Sequence, residues 1–210
     1  MGTMMSEMDW NISATVRDGR RGLVIRVFSV ARPYEKLCRN KREYYNKFMT
    51  GLRNAGRHEF VDLVIDSGGG AVHSAMGMVA ALGVEGWKGK KTRVLIDGQC
   101  GSAATLLLKL QAPVYITEGG SVFVHMPSSV RLQKAKNGEY VQVGTPKGAM
   151  DTTARMLEGA CVHRMKRNGE RSRRREVRGL MEQAHRFTAK EAVAFGLCDG
   201  IMRREAFEKG

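Results

Sequence analysis

The sequence predicts an α/β layer architecture in which the strands of the sheet are covered on both faces. A unit of strand, glycine break and helix occurs twice, over residues 61–82 and 92–110. Its strands are rich in Val and Ile with little polar alternation, which is typical of strands buried on both faces. The 210 residues, 42% of them hydrophobic, are enough for one ordinary domain. We therefore expect a single domain over 1–210, with its core at about 22–202.

The N-terminal part contains a predicted strand and helix, followed by the first of these units. Residues 22–30 predict a buried strand, and apolar residues at three- and four-residue steps predict a helix over 34–52. The strand VDLVID (61–66) ends at the glycines of SGGG (67–70), and a helix is predicted over 71–82. These glycines leave backbone N–H groups pointing outward at the start of a helix.

The next unit repeats this order. TRVLID (92–97) predicts a strand that is broken by GQCG, and SAATLLLKL (102–110) predicts a short helix. Two more strands, 112–117 and 121–126, flank a Gly-Gly turn. We expect these strands to extend the same sheet.

The C-terminal third differs from the repeated units. The Asn-Gly pair at 137–138 lies between two alternating arms, which predicts a hairpin over 130–144. A long helix is predicted over 148–167. Further on, Thr188 precedes a helix as its N-cap, and Glu191 three residues later predicts a capping box.

The net charge is +14, and much of the excess lies in two basic clusters. The first comprises Arg39, Lys41, Arg42, Lys47, Arg53 and Arg57, and the second is the run at 163–178. Such clusters attract polyanions, although a solvated helix face or an acidic protein partner also accounts for them. Because no aromatic residues interleave the second cluster and no nucleic-acid-binding motif accompanies it, we do not expect specific nucleic-acid binding.

Other function classes find no support in the sequence. There is no run of about 18 apolar residues for a membrane span, and the N-terminus lacks the pattern of a secretory signal. The cysteines are far apart and show no metal-ligand spacing; they are Cys38, Cys100, Cys161 and Cys198. We expect buried, reduced thiols in a cytoplasmic protein that uses no metal and no cofactor.

Ser102 and His125 are the residues that point to chemistry. Ser102 stands at the start of a predicted helix beside glycines, where it is either a helix cap or a nucleophile whose oxyanion is held by backbone donors. His125 ends an apolar strand 23 residues later. A lone His there is more often a hydrogen-bonded core residue, but beside Ser102 it can take the hydroxyl proton and return it to a leaving amine.

Four segments, in order, resemble motifs of the Clp peptidase family. VDLVIDSGGGAVHSAM is similar to its strand and SPGG turn, GQCGSAAT to its nucleophile turn, SVFVHMP to its His-Pro strand, and RFTAKEAVAFGLCDGI to its closing segment. In length and in its N-terminal segment the chain resembles the viral branch, the ClpP-like head-maturation proteases. The resemblance implies a ClpP/crotonase-like spiral of strand–turn–helix units with a handle, the hairpin and long helix at about 128–168.

The resemblance also assigns roles to residues. It implies that Ser102 is the nucleophile and His125 the general base. It implies an oxyanion hole made by the backbone N–H groups of Ala103 and Gly69, with Gly70 beside the latter. Glycine suits this position because it permits unusual dihedral angles and lets a peptide carbonyl approach.

Two positions depart from the family's motifs. Gly68 replaces a Pro, which loosens the turn and keeps it open. Ala184 stands where the family has the Asp of its triad, and Ala cannot orient an imidazole. Three explanations stay open: Glu182 or Asp199 reaches the ring, a Ser–His dyad works with a backbone carbonyl or water, or the protein is slow or inactive. His185, next to this position, is expected to face solvent.

The resemblance implies a serine-type endopeptidase acting on proteins or peptides within a homo-oligomer of rings, with stacked heptamers as one arrangement. An ATP-driven unfoldase, or a capsid or scaffold protein, is the implied partner. Met150, Met156 and Met165 would supply apolar surface for assembly unless they pack within the chain. The competing hypotheses are an inactive ring subunit with an assembly role, a crotonase-like acyl-CoA enzyme without a hydroxyl nucleophile, and a basic nucleic-acid binder.

Overall fold

A computed structural model describes residues 10–28, 48–52, 58–84, 91–127, 130–134, 140–144, 147–171 and 173–209. The strands in these ranges are β1 (Trp10–Arg17), β2 (Arg20–Val27), β3 (Phe60–Ser67), β4 (Lys91–Gly101), β5 (Val114–Ile116), β6 (Ser121–Phe123), β7 (Val130–Lys134), β8 (Tyr140–Gly144), β9 (Arg186–Thr188) and β10 (Gly200–Ile201). The helices are α1 (Val72–Val84), α2 (Lys147–Arg167), α3 (Arg174–Glu182), α4 (Ala189–Ala194) and α5 (Arg204–Lys209), and a 3₁₀ helix covers Ser102–Lys109.

The main sheet is mixed and has the order β1-β2-β3-β4-β5-β10. Strands β2 to β5 and β10 are parallel to their neighbours, whereas β1 is antiparallel to β2 at the edge. Leu63, Val94 and Ile96 are inaccessible to solvent because apolar side chains cover the middle strands. Helices α1 and α2 both pack against the 3₁₀ helix. The predicted α/β class is confirmed, with a mixed sheet.

Strand β4 pairs with β3 along one edge and with two strands in turn along the other. Residues Val94–Ile96 pair with β5, and Gln99–Gly101 pair with β6. The prediction that GQCG breaks this strand was wrong. Gly98, with a φ of 141°, lets the strand change direction without ending, and the Asp66 carboxylate accepts the Gln99 N–H at 3.0 Å. Because β4 continues, β6 is aligned beside the start of the 3₁₀ helix.

The short helix after β4 also differs from expectation, because it is a 3₁₀ helix rather than an α-helix. Its end shows the tighter pattern, with the Leu110 N–H bonded to the Leu107 carbonyl at 3.1 Å. Six consecutive residues from Ala103 to Leu108 are buried, and of the helix only its ends, Ser102 and Lys109, reach solvent. Three residues per turn let this apolar run fill a narrow space inside the core.

The N-terminal hairpin of β1 and β2 was not predicted. The sequence contains its signal, since Asp18 and Gly19 lie between the two arms and have φ angles of 51° and 73°. Both central residues of a type I′ turn have positive φ, and Asp-Gly is a favoured pair there. The sheet therefore begins at Trp10, before the strand that was expected to be first.

Most other elements agree with the predictions. Helices α1 and α2 and the Thr188–Glu191 capping box are confirmed, as are the two arms of the C-terminal hairpin, β7 and β8. The Asn-Gly turn at 137–138 lies outside the described residues. So does most of the helix predicted over 34–52, of which residues 48–52 are helical. No helix in the described ranges is long and apolar enough to cross a membrane.

The methionines of α2 were one expected source of assembly surface. Met165 is fully buried within its own chain, and Met156 is partly buried against the same core. Met150 has intermediate exposure. Intramolecular packing therefore accounts for Met165 and for part of Met156.

The second basic cluster is partly structural. Arg164 is buried, pairs with Asp199 and donates to the Ala112 carbonyl at 2.7 Å. Arg174 binds the buried Glu158 at 2.6 Å. These arginines therefore pair with carboxylates of the same chain, and Arg164 also binds backbone, which reduces the charge that the cluster presents to a partner. The first cluster lies outside the described residues.

Candidate active site

Ser102 lies where β4 passes directly into the 3₁₀ helix. Its φ is 52°, a left-handed conformation that costs a non-glycine residue on the order of 1 kcal/mol. Gly101 is the N-cap of this helix, and no side chain caps it. The hydroxyl is 2.8 Å from Nε2 of His125. The side chain is thus turned toward the imidazole and does not act as a helix cap.

His125 follows β6 in an extended segment. Because β6 runs parallel to the end of β4, with Gly101 opposite Phe123, the residues that follow each strand emerge on the same side. Val122 and Val124 point into the core, which leaves Phe123 and His125 on the other face. Because side chains alternate between the two faces of this segment, the imidazole of His125 lies beside Ser102.

The predicted oxyanion residues lie against the serine. Gly69 has a φ of 112°, and a Cβ built on it would be only 2.6 Å from Ser102 Cβ and 3.1 Å from the Ala103 nitrogen. Gly70, beside it, has a φ of 140°. The Gly69 N–H bonds to Ser67 Oγ at 3.2 Å, a long bond that a stronger acceptor can replace.

Ala184 lies in the turn just before β9, close to the end of the strand pairing that leads to His125. Phe123 is paired with Arg186, and the Val124 N–H bonds to the His185 carbonyl at 2.9 Å. The regular pairing ends there, because the Met126 N–H bonds to the Met181 carbonyl at 2.9 Å. Ala184 has a φ of 51° and an exposed side chain. Among the described residues, no side chain hydrogen-bonds to Nδ1 of His125.

The two carboxylates expected as replacements have other partners. Glu182 is exposed and pairs with Arg178 at 3.6 Å. Asp199 forms an ion pair with Arg164 and accepts the Val114 N–H at 2.5 Å. His185, which was expected to face solvent, is half-buried and packs edge-on against the ring of Phe187.

Cys100 is the only thiol within two residues of Ser102 and could be taken for the nucleophile. It is fully buried, and burial raises the pKa of its thiol well above the usual value, with Cys198 and Cys161 adding to the effect. A thiol in such surroundings is unreactive. The hydroxyl of Ser102 is therefore the better nucleophile at this turn.

Sequence reasoning missed the aromatic and cationic neighbours of the histidine. The Phe123 ring stacks on the His125 ring with centroids 5.2 Å apart, and the Arg186 guanidinium lies 4.9 Å from the Phe123 centroid. The alternation in SVFVH could have placed Phe123 on the face of His125, but the antiparallel pairing with Arg186 has no local sequence signal. Within the described ranges, no group of three or more His, Cys, Asp or Glu is placed to hold a metal.

Comparison with known proteins gives one family match. The model of the Clp protease family matches residues 38–205, which include every site residue described above. No curated protein matches the sequence. Since the family model spans well over half of the 210 residues and the observed mixed α/β architecture fits its fold, this chain belongs to the Clp protease family.

Proposed function

We propose that the protein is a serine-type endopeptidase in which Ser102 is the nucleophile and His125 the general base. The observation that carries this proposal is the 2.8 Å separation of Ser102 Oγ and His125 Nε2 beside a turn of backbone donors. Family membership supports peptide hydrolysis as the reaction.

The chemistry follows from these positions. Nε2 takes the hydroxyl proton as Oγ attacks a peptide carbonyl, and the proton then passes to the leaving amine as the C–N bond breaks. Water hydrolyses the acyl-serine by the same steps. In this proposal the N–H groups of Ala103 and Gly69, which lie beside Ser102, donate to the carbonyl oxygen as it gains charge, and Gly69 exchanges its bond to Ser67 for one to the oxyanion.

The site works as a Ser–His dyad in this proposal. Glu182 and Asp199 are paired with arginines, and Ala184 has no polar side chain, so the proposal leaves Nδ1 to a backbone carbonyl or water. Loss of the acid from a serine-protease triad lowers turnover by about 10⁴ and still leaves catalysis well above the uncatalysed rate. We therefore expect slow hydrolysis.

Assembly and biological role are finer parts of the proposal. Rings would form through the handle, where β7 and β8 make a two-stranded sheet separate from the main one. Three further points rest on the resemblance to the Clp peptidase family. They are a ClpP/crotonase-like spiral, a role in phage head maturation, and an unfoldase or scaffold partner. The second candidate function is an inactive ring subunit, and Ala184 is the observation that favours it.

Hydrolysis of a fluorescent unfolded protein tests the proposal. The wild type should release peptides, and Ser102→Ala should lower the rate by at least about 10³ because it removes the nucleophile. Ser13→Ala, which removes a hydroxyl bonded to the Val24 carbonyl on β2, is the matched control. Assembled wild type that hydrolyses no faster than Ser102→Ala would support the inactive ring subunit instead.

A further inference from the structure

The face of β6 that carries His125 also carries an aromatic ring. Side chains alternate along this extended segment, so Val122 and Val124 are buried while Ser121, Phe123 and His125 share the opposite, half-exposed face. Phe123 is therefore the side chain directly before the imidazole on its own face. Gly101, the partner of Phe123 on β4, has no side chain to compete for this space.

The two rings are in stacking contact. Their centroids are 5.2 Å apart and their planes differ by 19°. At the same time, Nε2 of the imidazole is 2.8 Å from Ser102 Oγ. A rotation that swings the imidazole away from Ser102 would also lose the aromatic contact, so the orientation that permits proton transfer is the one that Phe123 favours.

Phe123 is itself held in place from the neighbouring strand. Arg186 is its cross-strand partner, and its guanidinium lies 4.9 Å from the ring centroid, within cation–π distance. That guanidinium donates to Ser121 Oγ at 3.0 Å, and when the Gln99 amide is flipped by 180° it also donates to the Gln99 side-chain oxygen at 3.0 and 3.1 Å. The charged group is thus tied to β4 and β6 at once.

We propose that Phe123, held by Arg186, is a positioning residue for His125 and replaces by ring stacking the orienting contact that a carboxylate in place of Ala184 would make. The inference rests on the proposed function. Stacking fixes the plane of the ring but does not neutralise an imidazolium, which agrees with a site that orients its base and turns over slowly.

The test is the rate at which a fluorophosphonate modifies Ser102, since this reaction needs an activated serine and no known substrate. Phe123→Leu should slow it about tenfold, because the ring contact is lost, whereas Phe123→Tyr should stay within about twofold. Arg186→Gln should slow it about threefold. The matched control is Arg173→Gln, which removes a cation–π contact with Phe195 elsewhere in the fold.

Two further measurements separate positioning from a general effect on folding. The NMR signals of the His125 ring should lose the ring-current shift of Phe123 in the leucine variant and keep it in the tyrosine variant. If Ala184→Asp supplies an orienting carboxylate, the loss caused by Phe123→Leu should shrink to about threefold in that background. Thermal unfolding of each variant checks that it is folded. If Phe123→Leu folds poorly, Arg186→Gln still tests the stacking of Phe123 on His125.

The outcomes are distinguishable. The inference would be overturned if the wild type, Phe123→Leu and Arg186→Gln reacted at equal rates, or if the leucine and tyrosine variants were slowed equally. In either case, labelling of Ser102 in the wild type would still uphold the proposed function. Wild type that reacts at no serine would overturn the proposed function, and the inference with it.

Discussion

Two turns lie against each other at the candidate site, and both contain positive φ angles. The turn after β3 uses glycine for them, with 112° at Gly69 and 140° at Gly70. The turn after β4 has Ser102 at 52°, although glycine would be less strained there. The difference agrees with the proposal that the first turn contributes backbone N–H groups alone, whereas the second keeps its strain because its side chain is required.

Another residue with a positive φ extends the comparison. Ala184, in the turn before β9, has a φ of 51°, and its methyl group is exposed. Asp and Asn adopt this conformation more readily than Ala does. The backbone at this position is therefore suited to a polar residue that the chain does not have.

The largest effect on activity is expected at Gly69, where the structure leaves no space for a side chain. Gly69→Ala would place a Cβ 2.6 Å from Ser102 Cβ at a φ that alanine rarely adopts. We expect the rate of peptide hydrolysis to fall by about 10²–10³, the usual effect of losing one oxyanion donor. Gly119→Ala, where a Cβ would meet nothing within 4 Å, is the control. Retention of full activity in Gly69→Ala would remove that turn from the site.

The next effect is a gain of activity. Ala184→Asp should raise the rate of hydrolysis about 10- to 100-fold, because a carboxylate that reaches His125 can orient the imidazole and stabilise its charged form. Ala184→Asn suits the same backbone without the charge and should give a smaller gain. An aspartate variant no faster than wild type, at unchanged stability, would show that this position does not reach His125.

A smaller effect concerns stability. Ser102→Gly should be more stable than Ser102→Ala by about 1 kcal/mol in the free energy of unfolding, since only glycine relieves the strain at a φ of 52°. Both variants lack the hydroxyl, so neither should hydrolyse peptides. Urea denaturation measures the difference, and equal stabilities would mean that the turn after β4 is not strained.

The smallest effect is expected from alkylation of the cysteines, which tests whether Ser102 or Cys100 is the nucleophile at the second turn. Burial raises the pKa of Cys100 well above its usual value and that of Cys161 to about 12, so thiolate forms only far above neutral pH. Iodoacetamide at about pH 8 should leave both unmodified in the folded protein and leave hydrolysis unchanged. Loss of activity that parallels alkylation of Cys100 would transfer the nucleophile's role to the thiol.

The sequence predicts those parts of the molecule that depend on local pattern. The glycine break after β3, the apolar strands and the capping box at Thr188 lie where they were expected, because each is determined by residues close in the chain. The course of β4 through Gly98 was missed, since its second half is defined by pairing with β6. For the same reason, the stack of Arg186, Phe123 and His125 could not be read from spacing alone.

The central claim is that folding makes the Ser102 hydroxyl a nucleophile activated by His125. Mass-spectrometric mapping of protein treated with a fluorophosphonate tests it most directly. We predict that a single adduct forms on the peptide containing Ser102, and that His125→Ala slows its formation by at least about 10³. An adduct on another serine, or equal labelling with and without the imidazole, would contradict the account.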